Sequence, residues 1–157
     1  MLRIDFYISP TTIELENSRN PDTLSLDELL YWTFETRINF IEDSPEKSLL
    51  SVPEAALFQI LNGLSSARKQ IRENEQTEIT IRDREGSYDL VIKQKGENIK
   101  IRDDFGNERF QVTISDFLES TEIFIQSTIK EVEEKFPKLA LNKNYQDLKT
   151  AFLNSLS

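Results

Sequence analysis

The chain has 157 residues with 28 acidic and 19 basic side chains, a net charge of −9. It has no cysteine and no histidine, which removes thiolate nucleophiles, disulfides, the usual zinc ligands and the commonest general base near neutral pH. An apolar content of 38% with ten phenylalanines suits one packed domain, and the acidity opposes nucleic acid or anionic membrane as the main ligand.

Leu2, Ile4, Phe6 and Ile8 alternate with Arg3, Asp5 and Tyr7, the period of a half-buried strand. This stretch is too short and too charged for a secretion signal, and no later stretch approaches the roughly 20 apolar residues of a membrane span. A cytoplasmic location is therefore expected. Pro10 interrupts the strand; residues 11–16 read as a short second strand or irregular edge, and residues 17–23, with Pro21, as a loop.

Ser25 and Glu28 stand at capping-box spacing and predict a helix start. Leu26, Leu30, Phe34, Ile38 and Ile41 follow at helical intervals, with Leu29 and Phe40 beside them, so this first helix is expected to run towards Pro45. Ser51, Pro53 and Glu54 repeat the capping signature and predict a second helix, with Leu57, Ile60, Leu61, Leu64, Ala67 and Ile71 as its buried stripe. Gly63 within it marks a mild flaw or a close helix contact.

From Thr77 the apolar period changes to two. Ile79 and Ile81, then Tyr88, Leu90 and Ile92, then Ile99 and Ile101, then Phe110, Val112 and Ile114 define successive strands. Their short connections carry Gly86, Gly96 and Gly106 and favour an antiparallel meander. Ser115 or Asp116 caps a third helix, whose inner face holds Leu118, Thr121, Ile125, Ile129 and Val132, flanked by Phe117 and Phe124. Phe136-Pro137 stops it, and a short helix from Asn144 buries Tyr145, Leu148 and Phe152. The expected class is α+β: a mainly antiparallel sheet, the N-terminal strand added to the four-stranded meander, with about four helices packed on it.

No glycine-rich loop joins a strand to a helix, which excludes a P-loop or dinucleotide fingerprint. Residues 103–108 (Asp103 to Glu108) lack the spacing of a calcium loop and read as a solvated hairpin turn. With 28 acids, no spacing singles out a catalytic carboxylate pair. No catalytic residue, cofactor or metal is assigned, and the protein is expected to act by binding.

The acidic excess is concentrated at the start: the first 76 residues carry 13 acidic and 7 basic side chains. Within them Tyr31 and Trp32 flank the stripe of the first helix beside Asp27, Glu28 and Glu35. Tryptophan and tyrosine are frequent interface anchors, so these five residues form the candidate partner-binding patch; packing of Trp32 against the sheet is the competing reading. On the meander, Arg82, Lys93, Lys100 and Arg102 share the outer face with Glu78, Asp89, Thr80, Gln111 and Thr113, where cross-strand ion pairs are expected. That face has no aromatic platform for bases.

The expected partner is another protein with a basic surface, with neither nucleic acid nor membrane involved. The leading expectation is a bacterial immunity or antitoxin protein that neutralises a basic toxin by direct binding. The alternatives are an adaptor or regulatory subunit, monomeric or homodimeric, and a small-molecule-binding domain.

Overall fold

The computed structural model describes residues 1–105 and 107–156. The class is α+β, as expected, but the strands form two antiparallel sheets. Strand β1 (Leu2–Tyr7) pairs with β2 (Glu35–Asp43), and β2 with β3 (Glu46–Ala56). The N-terminal strand therefore does not join the meander; Ile4 lies opposite Phe40 and Phe6 opposite Ile38. Strands β4 (Glu78–Arg82), β5 (Asp89–Lys95), β6 (Asn98–Asp103) and β7 (Glu108–Thr113) form the second sheet in chain order, the meander read from the sequence. Gly86 and Gly96 have φ of 78° and 62°, the left-handed conformation that tight hairpins demand. Gly106 lies outside the described residues.

Several expectations for the helices and their starts are corrected. Residues Pro10–Ser18 form helix α1, not a strand: Pro10 is its first residue and the Ser9 hydroxyl accepts the Thr12 N–H at 3.1 Å. The capping box at Ser25 forms, with Glu28 N–H on Ser25 Oγ at 3.1 Å and Ser25 N–H on Glu28 Oε1 at 3.2 Å. It caps only the wide turn Glu28–Trp32, because Phe34 takes φ of 55° and the chain leaves as a strand. Thr36, Ile38 and Phe40 point inward at period two, and that alternation prevails over the overlapping helical spacing.

The second capping signature does not form. Ser51 sits in β3 and donates to Asn39 Oδ1 on β2 at 2.8 Å, while Pro53 lies where the β2–β3 register shifts. Helix α2 (Leu57–Arg72) therefore starts six residues after Ser51, with its apolar stripe as expected. Helix α3 (Ile114–Lys135) is capped by Thr113, whose hydroxyl accepts Asp116 N–H at 3.0 Å, so Ile114 is helical and not the end of a strand. Phe117 and Phe124 are core residues of α3, not flanks, and Leu118 is only half-buried. Helix α4 (Lys143–Asn154) is capped by Asn142 and buries Tyr145, Leu148 and Phe152 as expected.

One apolar cluster joins the inner faces of both sheets to α2, α3 and α4. Phe34 and Phe58 pack edge to face at 5.0 Å, and Phe58 meets Tyr145 at 5.7 Å. Among the described residues, no helix is long and apolar enough to cross a membrane.

On the outer face of the meander, the expected cross-strand ion pairs mostly do not form. Arg82 pairs with Asp89 at 3.3 Å, but Lys93 lies opposite Lys100, and Arg102 opposite Arg109. The neighbouring Lys95 ammonium, then partial desolvation, Arg109 and Arg102, lower the pKa of Lys100. Like charges placed directly opposite oppose folding, so hydrophobic burial on the inner face sets this register.

Candidate functional site

The chain returns to one place three times: at the turn Glu28–Trp32, at the β3–α2 junction, and at the hairpin between β4 and β5. These segments enclose a cleft of about 140 Å³ lined by Tyr31, Trp32, Glu35, Glu54, Asp83 and Glu85, with Thr33, Ala55, Ala56 and Ser87 completing it. Trp32 is 47% exposed, so it does not pack into the core. Among the described residues, Glu35, Glu54, Asp83 and Glu85 have no ion-pair partner.

A guanidinium already sits beside this cleft. Arg84, on the hairpin, stacks over Tyr31 at 4.0 Å from the ring centroid and lies 5.8 Å from the Trp32 ring. Its Nη2 donates to Asp27 Oδ1 at 2.7 Å, and the Trp32 indole N–H donates to Asp27 Oδ2 at 3.3 Å. Asp27 and Arg84 thus clamp the hairpin to the aromatic turn across 57 residues of chain. An exposed pair of this kind contributes at most about 1 kcal/mol, so it positions the walls without fixing them rigidly.

The floor is firmer. The buried Tyr88 hydroxyl accepts Ala56 N–H at 3.2 Å and donates to Gln59 Oε1; Gln59 Nε2 donates to Arg82 O at 2.7 Å. Burial raises the Tyr88 pKa to about 12, opposed by the Ala56 N–H and assisted by Asp83. Behind the cleft, the buried Glu16 of α1 accepts Phe34 N–H at 2.9 Å and pairs with Arg19 at 3.1 Å. Glu16 therefore holds the left-handed turn at Phe34, in the segment that carries the cleft residues Trp32 and Glu35.

Burial raises the Glu16 carboxyl above its ordinary pKa, with the Phe34 N–H and Arg19 pulling it back. The native chain then binds more protons than the unfolded chain between the two pKa values. The Glu16 contribution to stability is full below the unfolded pKa and declines as pH rises through the folded one. Glu16→Gln keeps an acceptor for Phe34 and should stay within about 1 kcal/mol of the parent while removing that pH slope. Glu16→Ala should cost about 2 kcal/mol by orphaning a buried N–H. Urea midpoints across pH 4 to 7 or so measure both; equal midpoints for the two variants would remove the tether.

Of the five residues expected from the sequence, Tyr31, Trp32 and Glu35 line the cleft. Asp27 stands behind them and pairs with Arg84, while the Glu28 carboxylate is occupied by the cap of its own turn. Sequence reasoning missed Glu54, Asp83, Arg84 and Glu85. The charged run Asp83-Arg84-Glu85 before Gly86 marks a solvated hairpin, but nothing local places it against Trp32.

A larger cavity of about 420 Å³ lies between α2 and α4. One of its two cations serves a helix end: Arg72 donates to Asn154 O at 2.9 Å. Among the described residues, no three carboxylates are grouped so as to hold a metal ion. Protein-family models, curated proteins and solved structures show no match to this chain. Fold and cleft together define an α+β protein with an acidic, aromatic-walled recess.

Proposed function

We propose that the protein is a non-catalytic, stoichiometric binding protein of the immunity or antitoxin kind, capturing a basic protein partner in this cleft. The observation that carries the reading is the pairing of four uncompensated carboxylates with the Tyr31–Trp32 shelf, on which Arg84 shows how a guanidinium is held. An arginine or lysine of the partner supplies the missing charge, and closure of the interface removes water and strengthens the attraction. The net charge of −9 steers a basic partner inward, so association should be fast and salt-sensitive.

Trp32 is the only tryptophan, so its emission reports on this cleft alone. Titration with an arginine tetrapeptide should give a saturable change that is lost at high salt. Glu54→Lys combined with Glu85→Lys should weaken it at least a hundredfold, about 2.7 kcal/mol. Undiminished binding by that variant would exclude the cleft. For the biological partner, the expected result is a basic protein encoded nearby whose toxicity is relieved by co-expression.

The juxtaposed Lys93–Lys100 and Arg102–Arg109 pairs favour a second reading, an adaptor whose sheet face meets an acidic protein. Charge reversal at Lys100 and Arg109 separates the two, since capture of a basic partner should survive it.

A further inference from the structure

We propose that the open edge of β4 takes up an extended segment of the partner by main-chain pairing, delivering an arginine or lysine of that segment into the acidic cleft. This rests on the cleft reading above and specifies its mode of recognition.

The register decides which backbone groups of β4 are free. Gln94 N–H donates to Thr77 O at 2.9 Å and Asp83 N–H to Tyr88 O at 3.2 Å, so residues 77, 79, 81 and 83 bond to β5. Glu78, Thr80 and Arg82 therefore turn their N–H and C=O groups away from the sheet. Two glutamines of α2 meet the ends of this edge: Gln70 Oε1 accepts Glu78 N–H at 3.1 Å, and Gln59 Nε2 donates to Arg82 O. At the centre, the exposed Thr80 presents both backbone groups with no partner among the described residues. By contrast, the outer edge of β1 is covered at Leu2, where Asp116 takes the N–H at 3.1 Å and Ser120 the C=O at 2.6 Å.

The space beside Thr80 is a groove of about 300 Å³ lined by Tyr31, Asn62, Gly63, Ser66, Thr80 and Ile81, among others. Helix α2 forms one wall of this groove through Gln59, Asn62, Gly63 and Ser66, and reaches the ends of the strand edge with Gln59 and Gln70. A Cβ on Gly63 would stand 2.1 Å from Ile81 Cδ1, on the inner face. Tyr31 lines both groove and cleft, so the two adjoin at its ring. A strand advances about 3.3 Å per residue, which puts the hairpin acids within reach of an arginine one or two positions beyond the residue opposite Thr80.

The probe is a heptapeptide of alternating threonine and valine with one central arginine, followed by Trp32 emission and by hydrogen exchange at the Thr80 amide. Thr80→Pro removes only the outward N–H, which the ladder does not use, so the fold should persist. It should weaken the peptide at least tenfold, whereas Thr80→Val should not. N-methylation of the residues flanking the arginine should do the same without altering the protein, and binding should slow Thr80 exchange at least tenfold. Equal affinity for the methylated peptide, or no slowing at Thr80, overturns the proposal. If N-acetylarginine amide binds as well as the heptapeptide, edge pairing falls and the cleft stands. If Glu54→Lys with Glu85→Lys leaves the peptide unaffected while Thr80→Pro abolishes binding, the edge stands and the cleft falls.

Discussion

Phe34→Ala should cost 3 to 5 kcal/mol or so, and Phe34→Gly about 1 kcal/mol less than that. The ring is fully buried and packs edge to face on Phe58 at 5.0 Å and Phe136 at 4.9 Å, so either truncation removes the same contacts. Elsewhere in a chain, glycine is the worse substitute because its unfolded state is freer. Here φ is 55°, where a side chain costs roughly 1 kcal/mol and glycine nothing. The strain is held by contacts on both sides: Glu16 takes the Phe34 N–H, and Leu57 N–H donates to Phe34 O at 3.3 Å. Urea unfolding of the two variants gives the order directly. Glycine less stable than alanine would show that the left-handed turn is not a source of strain. Because Phe34 lies between Trp32 and Glu35, both variants should also loosen the cleft and weaken binding of the arginine tetrapeptide.

The second large effect is expected at Arg68, a buried guanidinium with no carboxylate partner among the described residues. Its Nε donates to Ser155 O at 3.1 Å and its Nη1 to Thr121 Oγ1 at 2.7 Å and to Leu118 O. One side chain thereby ties α2 to α3 and to the end of α4. Burial lowers its pKa, countered by Glu122 and reinforced by Arg72, yet a guanidinium stays charged at any ordinary pH. Replacing a buried ion pair with apolar residues is often harmless because both partners leave together. At Arg68 the carbonyl acceptors remain, so Arg68→Met, which keeps the stem, should cost about 3 kcal/mol. Arg68→Lys should recover under half of that, since one ammonium cannot span acceptors on two helices. A methionine variant with an unchanged urea midpoint would show that these bonds add nothing.

The meander was legible because its signals are local: alternating isoleucines show the inner face, and short turns force neighbouring strands together. The stripes of α2 and α4 were legible for the same reason. The segment from Ser25 to Ala56 was not, because two periods overlap there. Phe34, Ile38 and Ile41 satisfy a helix, whereas Thr36, Ile38 and Phe40 satisfy a strand. The two capping signatures show the same limit. Ser25 and Glu28 close around a turn, while Ser51 and Glu54 lie in a strand whose partner, β2, supplies hydrogen bonds that the cap does not.

Residue chemistry by itself pointed to Asp27, Glu28, Tyr31, Trp32 and Glu35 as a candidate acidic, aromatic patch and left open whether Trp32 packs inward. Only the tertiary structure decided that Glu54, Asp83 and Glu85 join Trp32, that Glu28 caps its own turn, and that the Thr80 main-chain groups find no partner among the described residues. The reason is range. Periodicity and capping act within a few residues, whereas the cleft depends on strand registers and on an Arg84–Asp27 pair that closes 57 residues of chain.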